Sequence, residues 1–160
     1  MSPTLRQTNA AALTVAAAVI GYVLFSQYVQ GYQPCELCWR ERWPWYAVLG
    51  FGIAGLIVPS RLWLMLIAVA LLVSTGLGLH HVGVEQHWWA GPSACASNGS
   101  GTASVAELKA MMMRETQVIQ CDQPIWFFLG LSMATWNFIA SLVAAVAAIT
   151  LVIRSRHAHS

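Results

Sequence analysis

Cys35 and Cys38 stand in the run Pro34-Cys35-Glu36-Leu37-Cys38-Trp39-Arg40-Glu41-Arg42, at the entrance to an apolar stretch. Two thiols at this spacing make and break a disulfide with little backbone movement, and the reacting species is the thiolate. If the chain is helical at Cys38, Arg42 follows one turn later on the same face, a cation that would favour the ionised sulfur. Two more cysteines, Cys95 and Cys121, lie far downstream in a long polar stretch. Four cysteines allow three pairings. Cys35 to Cys38 is cheap to close, and Cys95 to Cys121 would close the flexible part of the long stretch at a moderate entropic cost.

Three chemistries fit these residues. Two disulfides could act as staples, although a helical bundle with its own core needs them less than a small secreted domain does. A zinc site would require help from His80, His81 or His87, because Cys95 and Cys121 do not form a second short knuckle. No resident metal is expected. A redox relay would pass electrons between the two cysteine pairs by thiol–disulfide exchange. Arg42 is the better placed of the two arginines to polarise a group beside Cys38, whereas Arg40 can reach lipid phosphate. His81, at a similar depth, could serve as a hydrogen-bond donor or proton carrier for an acceptor dissolved in the membrane.

The elements that must hold these residues are membrane helices. Charged residues make up 9% of the 160 residues, against about 25% in soluble domains, and mean hydropathy is +0.60. Four apolar runs approach the roughly 20 residues that a bilayer requires: Ala10–Tyr28, Trp43–Val58, Leu62–Leu79 and Ala134–Ile153. The first lacks a small-x-small cleavage site and reads as a retained helix rather than a secretory leader. Pro59-Ser60 supplies a tight turn. Small residues at helical spacing (Ala12 and Ala16; Gly50 and Ala54; Ala140, Ala144 and Ala148) predict close helix contacts. The expectation is an all-α membrane protein: a single domain over residues 1–160, an antiparallel four-helix transmembrane bundle with a short outer loop at 29–42 and a long one at 80–133.

Charge placement orients the bundle. Arg6, Arg61, Arg154 and Arg156 fall on one side, and Arg40 and Arg42 on the other. Lys109 and Arg114 lie too far from the span ends to count strongly. Both termini are therefore expected in the cytoplasm and all four cysteines outside, where disulfides persist. Within the long loop, Ser104 and Glu107 make a capping box ahead of Val105, Leu108 and Met112 on one face. That pattern predicts a short amphipathic helix on the membrane surface. Formal net charge is +2 with no basic stripe, so nucleic acid is not an expected partner.

Four spans, Pro-Cys-x-Leu-Cys-x-x-x-Arg at the start of the second, two separated cysteines in a long second loop, and Leu129-Gly130-Leu131-Ser132-Met133 followed by Trp136 resemble the DsbB family of disulfide-forming membrane quinone reductases. The resemblance covers nearly the whole chain. It implies a protein-dithiol:quinone oxidoreductase of the bacterial inner membrane that serves periplasmic protein folding, with a ubiquinone or menaquinone as electron acceptor. Its partner would be a DsbA-like thioredoxin-fold oxidant in the periplasm. Residue by residue, Cys95 would be attacked by the partner's thiol, Cys121 would exchange with Cys35, and Cys38 would meet the quinone. Arg42 matches the family arginine that contacts the quinone, and His81 matches a family histidine near that ring. A vitamin K epoxide reductase-like enzyme is the rival of the same class. A non-catalytic, disulfide-stapled or metal-binding membrane protein is the rival of a different class.

Overall fold

Runs of Ala, Val, Leu and Ile without an internal proline make the first helix, α1, over Leu5–Tyr28. Gly31 at φ 78° turns the chain out of it, in a conformation that a Cβ would disfavour. The computed structural model describes residues 5–91, 121, 122, 124 and 126–157. Cys95 and the amphipathic helix expected near Ser104–Met112 lie outside the described residues.

Helix α2 spans Glu36–Ile57. It begins nearly two turns before the expected span, because Cys35 takes an extended N-cap conformation and its Sγ accepts the Cys38 N–H at 3.2 Å. Pro44 is therefore well inside the helix rather than in its first turn, and its missing N–H removes one backbone hydrogen bond. The loop between α1 and α2 accordingly ends at Cys35, not at Arg42. Ser60 Oγ caps the next helix by accepting the Leu62 N–H, and α3 runs over Arg61–Glu85. His80 and His81 thus belong to a helix, not to the long loop. Strands β1 (Phe127–Phe128) and β2 (Leu131–Ser132) form a small antiparallel ribbon, an addition to the expected all-helical plan. Leu129 and Gly130, both at positive φ, make its turn, as a two-residue hairpin of this twist requires. Helix α4 then covers Met133–His157.

Neighbouring helices run antiparallel, as particular contacts show. Arg6 and Asn9 near the start of α1 reach the carbonyls of Leu56 and Gly55 near the end of α2. Along α3 and α4, Ser74 meets Ser141, Gly78 meets Phe138 and Glu85 meets Ser132. The close approaches depend on glycines at particular positions. A Cβ on Gly55 would lie 2.4 Å from Asn9, and one on Gly52 would lie 3.1 Å from Leu13. Gly50, in the expected small-residue stripe, faces open space instead. Ala16, Ala145 and Ala148 are buried in the core with Trp45, Val48, Ile67 and Leu71. By length and composition α1, α3 and α4 (through Arg154) can each cross a membrane. The opening turns of α2 carry Glu36, Arg40, Glu41 and Arg42.

Candidate functional site

The antiparallel order brings the end of α1, the start of α2, the end of α3 and the start of α4 to one pole, around a cavity of about 560 Å³. That volume lies in the range of small-molecule sites. Tyr22, Trp126, Phe128 and Trp136 supply aromatic wall, with Trp126 and Phe128 stacked at 5.8 Å. Cys35, Cys38, Arg42 and His81 also line it. The structure thus brings together four of the six site residues expected from sequence, and a fifth, Cys121, is part of the same lining.

The first cysteine pair is free, with its sulfurs 2.8 Å apart. Cys38 donating to it pulls the Cys35 thiol down to about 5, against the opposing effect of burial and with help from His81. The helix N-terminus that Cys35 caps acts in the same direction. The surroundings therefore favour a thiolate on Cys35, rather than on Cys38 as the position of Arg42 suggests. Cys121 is disulfide-bonded, and its bond is to neither member of the first pair, since both are free. It nonetheless packs in one buried cluster with Cys35, Leu37 and Val84, and Cys38 lies against that cluster.

Behind Cys35 runs a buried line of hydrogen bonds. Cys35 Sγ lies 3.7 Å from His81 Nε2, and His81 Nδ1 lies 2.8 Å from Glu41 Oε1. Asn137 Nδ2 donates to Glu41 Oε2 at 3.0 Å, and Trp45 Nε1 donates to Asn137 Oδ1 at 2.9 Å. The far end fixes the rest. An indole N–H can only donate, so Asn137 must present its oxygen to Trp45 and its amide N–H to Glu41. Glu41 is then an acceptor on that side, and its other oxygen faces His81. With Nδ1–H given to the carboxylate, His81 turns Nε2 toward Cys35 as the nitrogen that takes up or returns a proton. Glu41 and His81 are 7% and 4% exposed, so the pair works away from bulk water.

Glu41 and Asn137 were not among the residues singled out from sequence. One signal for Glu41 was present: Cys38, Glu41, Arg42 and Trp45 fall at i, i+3, i+4 and i+7, a single helix face. Arg42 is 6% exposed. Its Nη1 donates to Gln27 Oε1 at 2.6 Å and its guanidinium lies 4.7 Å from the Trp39 ring centre. Its Nε, also buried, has no hydrogen-bond partner. Arg40, by contrast, pairs on the surface with Glu36. His80 is not part of the cavity lining and stacks on Trp89.

A dithiol at a helix N-terminus, a buried proton-handling histidine and an apolar cavity at one pole of membrane-type helices define a membrane thiol–disulfide oxidoreductase. Comparison with known proteins narrows the class. The family model for disulfide bond formation protein DsbB matches residues 5–151, and the chain belongs to that family. Over 153 residues, 89% of each chain, it is 29% identical to the disulfide bond formation protein B of Aromatoleum aromaticum. It is 32% identical to the protein of that name from Xylella fastidiosa strain Temecula1, over 74% of this chain and 73% of the relative. The Acidovorax protein of the same name is 29% identical over 86% of this chain and 81% of the relative.

Proposed function

We propose that this chain is a single-domain, four-span protein of the bacterial inner membrane that oxidises a periplasmic dithiol protein and reduces a membrane quinone. In this reading α2 is the fourth span, both termini are cytoplasmic, and the cavity pole faces the periplasm. The electron donor is a thioredoxin-fold oxidant like DsbA. Cys95 accepts its thiolate, and Cys121 exchanges with Cys35, against which it packs. The carrying observation is the buried Cys35–His81–Glu41 line beside an apolar cavity that Arg42 also lines.

A quinone suits this cavity. The aromatic and aliphatic lining matches a ring with a prenyl tail, and the orphaned Arg42 Nε–H is a buried donor that a carbonyl oxygen would satisfy. A bound quinone would supply the acceptor for the two electrons and two protons released as Cys35 and Cys38 close to a disulfide. The chain's own residues then have separate tasks. Cys38 would be the sulfur offered to the acceptor, and Arg42 would hold the acceptor's oxygen. His81 Nε2 would take up the proton of Cys35 as Cys35 and Cys38 close to a disulfide and their two electrons pass to the acceptor. Glu41 orients the imidazole and balances its charge, while Asn137 and Trp45 hold Glu41 in place.

The test uses purified protein supplied with a reduced thioredoxin-fold oxidant and a soluble quinone. Quinol formation that is lost in Cys38→Ser, with partner exchange lost in Cys95→Ser, is the expected result. Absence of quinol together with disulfides resistant to the partner would refute the proposal.

A further inference from the structure

The sulfurs of Cys35 and Cys38 and the Nε2 of His81 all lie within 4.8 Å of one another. We infer that the reduced Cys35–Cys38 pair and His81 together form a three-ligand site for a thiophilic divalent cation of the zinc class, open only while the pair is reduced. Two thiolates and an imidazole are a donor set that zinc favours. Tetrahedral coordination at ordinary bond lengths places two sulfurs about 3.8 Å apart and sulfur and nitrogen about 3.5 Å apart. The Cys35 to His81 separation of 3.7 Å already matches. The sulfurs, at 2.8 Å, need to open by about 1 Å, which a rotation of the Cys38 side chain in the first turn of α2 supplies.

Independent support comes from behind the histidine. Metal-binding imidazoles nearly always give their other N–H to a carboxylate or carbonyl, which fixes the tautomer and ring plane. His81 has this arrangement: Nδ1 on Glu41 Oε1, with Glu41 held in turn by Asn137. The lone pair of Nε2 is thereby directed to where the sulfurs are. The fourth coordination position opens on the cavity, which Cys35, Cys38 and His81 all line.

Binding is not a redox step. One M²⁺ displaces the protons still held among the two sulfurs and the imidazole Nε2, which leave to solvent, and the metal–sulfur bonds form without change of oxidation state. Once Cys35 and Cys38 are joined as a disulfide, the two thiolate donors no longer exist. Occupation therefore holds the pair reduced and withdraws it from oxidation, so that zinc-class ions act as state-selective inhibitors. This inference needs only that the pair be reducible, and it stands apart from the identity of the electron acceptor.

The experiment uses the full-length chain carrying Cys95→Ser and Cys121→Ser, so that the first pair supplies all the thiols. Reduced anaerobically and freed of reductant, the protein is titrated with Co²⁺, followed through thiolate-to-metal charge-transfer and tetrahedral ligand-field bands, and then with Zn²⁺ as competitor. One equivalent of Co²⁺ with tetrahedral bands, displaced by Zn²⁺, is expected for the reduced protein and none for the same protein oxidised. Glu41→Gln, which changes no ligand, should weaken binding by about 10–100-fold, and His81→Gln by at least as much. Equal binding to reduced and oxidised protein would overturn the inference, as would unchanged affinity in His81→Gln, which would indicate a bare dithiol chelate. The absorbance readout requires no turnover, so failure here is distinguishable from failure to form quinol.

Discussion

Replacing Glu41 by glutamine changes one atom and should disable the proton acceptor beside Cys35 without disturbing the packing. In the native line Trp45 donates to Asn137, Asn137 donates to Glu41, and Glu41 accepts from His81. A glutamine must give its oxygen to the Asn137 N–H, because Asn137 is itself held by the indole. Its amide N–H then faces His81 Nδ1, which can satisfy it only by becoming an acceptor. The ring proton moves to Nε2, and the nitrogen facing Cys35 can no longer take a proton in the neutral ring. Recovering the active tautomer would leave one buried donor facing another, at about 1–3 kcal/mol. That corresponds to about a 5- to 150-fold loss of the competent form. Loss of the carboxylate charge beside the imidazolium adds to this, toward the roughly 10²–10⁴-fold associated with a general base.

The same logic predicts a rescue. In Glu41→Gln with Asn137→Leu, the glutamine is released to turn its oxygen to His81 Nδ1–H. The double variant should therefore recover the tautomer part of the loss and exceed the single variant in rate, even though it removes one more polar group. Single-turnover quinol formation by pre-reduced enzyme measures the rate, and ¹⁵N shifts of the His81 ring report the tautomer directly. A Glu41→Gln enzyme at wild-type rate, or a double variant no faster than the single with an unchanged ring tautomer, would refute the reasoning.

Three other outcomes are expected. Arg42→Ala removes a buried charged donor worth about 1.5–3 kcal/mol and should raise the quinone KM by about 10- to 150-fold while thiol exchange with the partner changes little; the reverse pattern in steady-state kinetics would remove its assigned role. Gly55→Ala drives a Cβ into the buried Asn9 side chain and should cost about 1–3 kcal/mol, whereas Gly50→Ala, in open space on the same helix, should be neutral or stabilise by up to about 1 kcal/mol; thermal unfolding in detergent separates the two. With the Cys35 thiol held down at about 5 by Cys38, folded reduced protein carries a thiolate where the unfolded chain still carries a thiol. That contribution to stability is complete above the ordinary thiol range and is lost as pH falls through about 5. Melting temperature of the reduced protein should therefore rise with pH across this window relative to the oxidised protein, and parallel curves would contradict it.

Much of the scaffold was legible from local pattern. Apolar runs located the helices because a span is a contiguous property of the chain, and Pro59-Ser60 marked a real turn. Boundaries at the active pole were misplaced for a physical reason. Glu36, Arg40, Glu41 and Arg42 read as a polar loop, yet Cys35 caps a helix there and only Glu36 and Arg40 of the four face outward. The stripe through Gly50 failed similarly: spacing says that a face of small residues exists, while the neighbouring helix decides which face it meets, here through Gly52 and Gly55.

By itself the sequence determined the close pair of cysteines, the presence of an arginine and a histidine that line the same cavity, the membrane character of the helices and the family. These are carried by residue type and short spacing, which need no knowledge of the fold. The tertiary structure alone decided what surrounds the dithiol. Glu41 becomes a buried partner of His81 and Asn137 only because α2, α3 and α4 bring residues 40 and 96 positions away to hydrogen-bonding distance. The preference for a thiolate on Cys35 is shared between the two levels: Cys38, one turn along the same helix, is the larger cause, and the packing adds His81, since a sulfur responds to what lies within a few ångströms of it in space.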